Sequence, residues 1–283
     1  MGPTSTTRRP KTFGEILGPP TCWETLCKST ENDDDTDPTV LEYREIQKEN
    51  GIQPTTMKEV RASVGHEREA WRLAMQAEVD SLRDNESFQT ASEAELRGLN
   101  VRKILPMKMV VGTKRDPVNG TSKKKARAVI CGNFQAKDPH EELYTANADI
   151  TSVRAVLAAS VDKRFDAKVI DIKTAFLNAK LPDQLETVYV RPPQALIEFG
   201  LVAPGTIWRV MKAAYGLRIS PKAWGAERGK GLKRMSINIA GKTYVFQQSH
   251  IDQSVWTIVR GTIASTETGS PQHVDETCTE VLG

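Results

Sequence analysis

The stretch that constrains this chain most is Lys168 to Asn178, K-V-I-D-I-K-T-A-F-L-N. Phe165 to Ile172 reads as a strand, with Phe165, Ala167 and Val169 on one face and Asp171 ending the same row. The next six residues read as the first turn of a helix or a tight bend. A carboxylate at the exit of a buried strand is costly unless it caps, pairs or holds a metal. From these residues alone, capping of the following turn is the simplest account, and pairing or a metal stays open.

What surrounds that strand is bounded by composition. A chain of 283 residues holds one large domain or two small ones. Hydrophobic content of 39% suffices for a core, and a mean hydropathy of -0.44 predicts a soluble protein. No run of 18 apolar residues exists, so no membrane span is expected. The N-terminal residues lack the apolar stretch of a secretory signal. Cys22, Cys27, Cys131 and Cys278 have no zinc-like spacing and point to free thiols in a reducing, intracellular compartment.

Charge is unevenly distributed although the net is only +3. Glu31 to Asp37 is an acidic run. Val101 to Gln135 carries nine Lys or Arg against one acid, Asp116, and Ile207 to Met235 carries eight against one, Glu227. Such clusters are commonly solvated surface. Two of them flanking Asp171 fit a nucleic-acid channel better.

Residues 1–56 are rich in Pro, Thr, Ser and Asp without a sustained period, and are expected to be a disordered or linker segment. Order is expected from Met57 to about residue 260, with residues 261–283 an irregular tail. Between Glu67 and Asp84, Trp71, Met75, Val79 and Leu82 recur at helical spacing. Met107 to Arg115 and Lys125 to Cys131 alternate on either side of the turn Asp116-Pro-Val-Asn-Gly120, which predicts a hairpin with Lys125 and Arg127 on a basic face. Thr151 or Ser152 is placed to cap a helix that buries Val153, Val156, Leu157 and Val161. Short strands are expected at Thr187–Val190, Ile207–Met211, Thr243–Gln247 and Ser254–Val259.

Four stretches, in order, resemble one family. Asp171 to Ala179 resembles the first catalytic motif of copia-type retrotransposon reverse transcriptases, Asp-Val-Lys-Thr-Ala-Phe-Leu-Asn-Gly, with Ile172 for Val and Ala179 for Gly. Trp71, Ala74, Met75, Glu78, Leu82 and Asn85 resemble the helix that opens that polymerase domain, with Phe88 where the family usually has Trp. K-K-A-R-A-V-I-C-G-N-F-Q is close to the family's Lys-Ala-Arg-Leu-Val-Ala-x-Gly-Phe-x-Gln. Ala213 to Trp224 resembles Leu-Tyr-Gly-Leu-Lys-Gln-Ser-Pro-Arg-x-Trp, with Gly216 permitting a close backbone approach and Ser220-Pro221 opening a helix. Tyr144 stands where the family has an aromatic before an Ala-Pro-Val turn, without the Pro, and Arg154 matches a family Arg.

The resemblance implies an α+β fold, the fingers and incomplete palm of a right-hand polymerase. It implies RNA-templated DNA synthesis from a DNA primer and deoxynucleotides, with Mg²⁺ as cofactor. Asp171 is then a metal ligand and catalytic residue, assisted by the Ile172 carbonyl, and Phe176 is the wall that selects deoxyribose. Arg127, with Lys114 second, meets the triphosphate. Tyr215 and Gly216 support the new base pair. The family's Tyr-x-Asp-Asp turn should follow Val259 between two apolar strands. His273-Val-Asp-Glu276 has two carboxylates at about that distance but no apolar strand before it, and Gly269-Ser-Pro271 opposes one. The expectation is a truncated or mis-joined frame that does not polymerise as it stands. A catalytically inactive nucleic-acid-binding remnant is the main alternative. A phosphatase forming an aspartyl-phosphate is disfavoured, because the acid it needs two residues after the nucleophile is Lys173 here.

Overall fold

The computed structural model describes residues 37–97, 99–100, 103–116, 118–135, 143, 145 and 147–261. The chain divides into two compact units. The first comprises Met1–Glu141 and Phe176–Ser220, the second Glu142–Ala175 and Pro221–Gly283.

The first unit is built on the hairpin β3 (Ile104–Arg115) and β4 (Ser122–Ile130). Alternation puts Met107, Met109 and Val111 opposite Ile130, Ala128 and Ala126 in antiparallel register. The connecting turn is fixed by Asp116, whose carboxylate accepts the N–H groups of Val118 at 2.8 Å and Asn119 at 3.2 Å. Against β4 lies the long helix α3 (Gly65–Asp84), which buries Trp71, Met75, Val79 and Leu82. At about 1.5–3 kcal/mol for each large apolar side chain fully buried, this stripe is a main source of the unit's stability. Lys124 closes the contact from outside: its ammonium lies 4.4 Å from the centre of the Trp71 ring and 3.0 Å from Glu67.

The order of elements before the hairpin differs from the expected linker. Helix α1 (Pro38–Glu49) starts at Asp37, whose carboxylate accepts the Thr39 N–H at 2.9 Å. Strand β1 (Ile52–Thr55) pairs antiparallel with β3, Ile52 opposite Lys114. A capping box of Thr56 and Glu59 then opens α2 (Met57–Ala62). Helix and strand are therefore already present ahead of Met57, within the stretch that composition assigns to a linker. The cause is non-local: β1 contains Pro54 and has no alternating pattern, and it is a strand because β3 offers it an open edge.

The sheet continues as β1-β3-β5-β6-β2, with β4 on β3. Here β2 is Phe88–Thr90, β5 Tyr189–Arg191 and β6 Trp208–Val210. Strand β5 runs parallel to the start of β3, Ile104 opposite Tyr189, and antiparallel to β6. Short helices α4 (Glu93–Leu96) and α6 (Gln194–Glu198) flank these strands, and Leu96, Ile104, Tyr189 and Ile207 form a buried cluster.

The second unit holds helix α5 (Ile150–Asp162), helix α7 (Ser220–Arg234, its first residue assigned to the first unit) and the antiparallel sheet β7-β8-β9. Those strands are Ser236–Ile239, Lys242–Gln248 and Trp256–Arg260. The cap of α5 is Asp149, which accepts the Thr151 N–H at 2.7 Å, rather than Thr151 or Ser152. Asp252 accepts hydrogen bonds from Ser152, Ser254 and the Asp149 N–H, and these donors hold its carboxyl well below the usual range.

Two expectations fail in this unit. Phe165 to Ile172 is not a strand: it has no regular secondary structure, with Val169 100% and Ile170 85% exposed. Alternation supplies a face, but a strand also needs a neighbour for its N–H and C=O groups, and no described strand pairs with these residues. Likewise α5 forms, yet Val153, Val156, Leu157 and Val161 are exposed rather than buried. The fold class is mixed α and β, as the sequence predicts. No helix among the described residues is long and apolar enough to cross a membrane.

Candidate nucleotide site

In the first unit, residues far apart in sequence meet at the end of β4. Arg127 leaves β4 with its guanidinium carbon 4.0 Å from the centre of the Tyr215 ring. Phe176, in a short 3-10 turn (Ala175–Asn178), meets the same ring nearly edge-on at 5.6 Å between centroids. Tyr215 is held by its backbone, whose carbonyl accepts the Ile130 N–H at 2.8 Å. The next residue, Gly216, has φ +84° and packs directly on β4. A Cβ there would collide with the Ile130 carbonyl and lie 2.7 Å from Val129 Cγ1, so the turn accepts glycine alone. The turn is closed by Ser220, whose buried hydroxyl accepts the Ala214 N–H at 2.9 Å and donates to the Ala214 carbonyl at 2.7 Å.

The charge around this cluster is strongly positive. Val110 faces Arg127 and Lys114 faces Lys123, so the two-residue period puts Lys114, Lys123, Lys125 and Arg127 on one side of the ladder. Burial, followed by repulsion from Lys123, Lys114 and Arg127, lowers the Lys125 pKa. The facing acid is Glu78 of α3, which accepts the Ala128 N–H at 3.0 Å. Burial pushes its carboxyl up despite that hydrogen bond and the nearby Arg127 and Lys125.

Tyr43 of α1 joins the cluster. The Gly216 backbone donates to its hydroxyl, Arg127 and Tyr215 are close enough to act on it, and burial pushes the phenol up to about 12. Sequence reasoning misses Tyr43 because α1 reads as linker. The available signal is Val40, Tyr43 and Gln47 at helical spacing, preceded by the Asp37-Pro38 start. It also misses Glu78 as the acceptor that anchors β4, although Glu78 is among the residues that match the family.

Of the residues singled out by sequence, Arg127, Phe176, Tyr215 and Gly216 converge, and Lys114 shares the hairpin face but lies exposed toward its far end. Asp171 and Ile172 belong to the second unit, exposed in the coil described above. Among the described residues, no group of three or more His, Cys, Asp or Glu converges to hold a metal ion. Tyr144 and His273–Glu276 lie outside the described residues.

Residues 98–249 match the family described as reverse transcriptase (RNA-dependent DNA polymerase), more than half of the chain. The chain is 26% identical over 174 residues to the retrovirus-related Pol polyprotein from transposon TNT 1-94 of Nicotiana tabacum, covering 61% of this chain and 12% of that protein. It is 26% identical over 194 residues to the Pol polyprotein from transposon RE1 of Arabidopsis thaliana, covering 68% and 12%. For transposon RE2 of the same plant, identity is 28% over 164 residues, covering 56% and 10%. The chain thus spans roughly a tenth of the length of these relatives. No solved structure matches. Over half of the chain, including the Arg127 hairpin, the Asp171 segment and the Tyr215-Gly216 turn, matches one family, and the chain belongs to the copia-type reverse transcriptases.

Proposed function

We propose that the chain carries the nucleotide-binding part of an RNA-directed DNA polymerase, acting on an RNA template, a DNA primer and deoxynucleotides. One observation carries this reading: Arg127, Tyr215, Phe176 and Gly216, drawn from three separate stretches, meet on a basic face. In this reading Arg127 takes the triphosphate, with Lys114 as a second cation on the same face. The guanidinium suits phosphate oxygens because it is planar and permanently charged. Tyr215 beneath it restricts its rotamers, and less ordering entropy is then lost on binding. Phe176 stands against the sugar, and Gly216 supports the new base pair with its backbone.

Asp171 is proposed as catalytic and as a ligand of Mg²⁺, with the Ile172 carbonyl beside it. Mg²⁺ supplies stabilisation of the charge that develops on phosphoryl oxygens. A pair of such ions requires carboxylates from more than one segment, and the described residues do not assemble that set. The alternative is a nucleic-acid-binding module without catalysis.

Two measurements test these readings. Binding of a fluorescent deoxynucleoside triphosphate should weaken about 10-fold or more in Arg127→Gln, because a hydrogen bond to a charged group contributes about 1.5–3 kcal/mol. Unchanged affinity would remove Arg127 from the triphosphate. Primer extension on an RNA template then separates the readings: extension lost in Asp171→Asn supports catalysis, and nucleotide binding without extension supports the second reading.

A further inference from the structure

Helix α1 lies ahead of residues 98–249, the stretch that matches the family, yet it reaches the Arg127 cluster at several points. A helix held by burial alone turns an apolar stripe inward. In α1 the buried residues are Thr39, Val40 and Gln47, with Tyr43 half-buried, while Leu41 and Ile46 stay exposed. Thr39, Tyr43 and Gln47 follow one another at four-residue spacing, so they line one face. Burial of apolar area accounts for Val40 and leaves that polar row unexplained.

The contacts of the row explain it. The Thr39 hydroxyl donates to Asn133 Oδ1 at 3.1 Å, just past the end of β4. Gln47 covers Gly112 of β3, where a Cβ would lie 3.3 Å from its Nε2. Gly112 pairs with Lys125, so Gln47 lies on the side of the ladder that carries Lys125 and Arg127. Between these two contacts the Tyr43 hydroxyl accepts the Gly216 N–H, with Arg127 and Tyr215 beside it. The Tyr215-Gly216 turn is thus tied at two points. Its Tyr215 carbonyl is held by the Ile130 N–H of β4, and its Gly216 N–H is held by α1. The Arg127 guanidinium rests on the ring that this turn carries, 4.0 Å from its centre.

We propose that Tyr43 is a positioning residue of the nucleotide site: it holds the Tyr215-Gly216 turn so that Arg127 faces the triphosphate, which makes α1 part of the site rather than a linker ahead of it. The proposal rests on the polymerase reading above, in which Arg127 takes the triphosphate. Tyr43 acts through the turn and does not touch the nucleotide. Without its hydroxyl the Gly216 N–H loses its acceptor, and the turn is free to move the Tyr215 ring away from the guanidinium. The dependence is mutual: if docked α1 favours nucleotide binding, bound nucleotide favours docked α1 by the same factor.

The test uses the full chain and a fluorescent deoxynucleoside triphosphate. Tyr43→Phe keeps the ring and removes only the hydroxyl. It should weaken binding about 3- to 10-fold, the range expected for one neutral hydrogen bond. Glu45→Gln, on the exposed side of α1, should leave affinity unchanged. Tyr43→Phe introduced into Arg127→Gln should cost nothing further, because no guanidinium is left to position, whereas a merely structural tyrosine would cost the same in both backgrounds. Saturating nucleotide should slow hydrogen exchange of the α1 amides about 3-fold or more in the wild-type chain and not in Tyr43→Phe. The proposal is overturned if Tyr43→Phe binds like wild type, if its cost is undiminished in Arg127→Gln, or if nucleotide leaves α1 exchange unchanged. Tighter binding by Tyr43→Phe also overturns it, since α1 would then cover the site rather than support it. All of these results leave Arg127 on the triphosphate. That reading fails separately, and takes this proposal with it, if Arg127→Gln binds like wild type or if the wild-type chain binds no deoxynucleotide.

Discussion

Replacing Gly216 by alanine should unfold the first unit's site, and the cost can be worked from two glycines with the same backbone sign. Gly216 (φ +84°) and Gly120 (φ +65°) both occupy the left-handed region. An L-residue there costs about 1–2 kcal/mol. Alanine also narrows the unfolded ensemble by about 0.4–1 kcal/mol, equally in both variants. The sites differ in space: nothing lies within 4 Å of a Cβ at Gly120, whereas at Gly216 it meets the Ile130 carbonyl and Val129 Cγ1. Overpacking adds about 1–3 kcal/mol. Gly120→Ala should therefore cost about 1 kcal/mol, and Gly216→Ala about 1–3 kcal/mol more. Hydrogen exchange of the β3–β4 amides reads the unit's own stability. Gly216→Ala should also weaken deoxynucleotide binding, since Tyr215 must shift, and Gly120→Ala should not. Equal losses of stability in the two variants would refute the claim that the Tyr215-Gly216 turn is pinned by contact with β4.

Tyr43 is protonated in the folded unit up to about pH 12 but ionises near its ordinary 10.0 when unfolded. Its contribution is therefore fully present below pH 10 and is lost as pH rises through about 12; urea unfolding across that window should show a decline that is smaller in Tyr43→Phe. Glu78 also has a raised pKa, so its contribution is present in acid and falls as the pH climbs above the ordinary carboxyl range. Glu78→Gln keeps an acceptor for the Ala128 N–H and should hold or gain stability at neutral pH, whereas Glu78→Leu leaves that N–H unpaired and should cost about 1–3 kcal/mol by the same unfolding assay. Phe176→Ala should lower the preference for deoxy- over ribonucleoside triphosphates in competition binding, and an unchanged ratio would take Phe176 away from the sugar.

The elements legible in the sequence are those whose stability is local. Trp71, Met75, Val79 and Leu82 repeat with the helix period, and the β3–β4 hairpin announces itself through alternation and the Asp116–Gly120 turn. Elements fixed by distant partners mislead in both directions. Ile52–Thr55 carries no strand pattern and is a strand, because β3 has a free edge beside it. Phe165–Ile172 carries the pattern and is coil, because alternation says which face a strand would bury and nothing about what would pair with its backbone. Val153 and Val161 illustrate the same limit for helices: their spacing predicts α5, and spacing alone does not supply a surface to cover its apolar side.

The site adds a different lesson about glycine. Arg127, Phe176 and Tyr215 have no periodic relation, so only their likeness to a family suggests that they belong together. The physical reason is in the backbone. Gly132, just after β4, and Gly216, just after Tyr215, lie so close that a Cβ on Gly132 would collide with the Gly216 carbonyl. Two chain segments can cross at that distance only where both lack side chains. The crossing lets the Tyr215 carbonyl reach the Ile130 N–H, and that bond holds the ring under the Arg127 guanidinium, three residues back along β4. The glycines of α7 have no comparable neighbour, since a Cβ at Gly225 or Gly229 finds ordinary contact distance and one at Gly231 finds open space. The same residue type thus marks two situations that the sequence writes identically. In one, protein backbone fills the space beside the glycine; in the other, a Cβ would meet ordinary contact distances or open space.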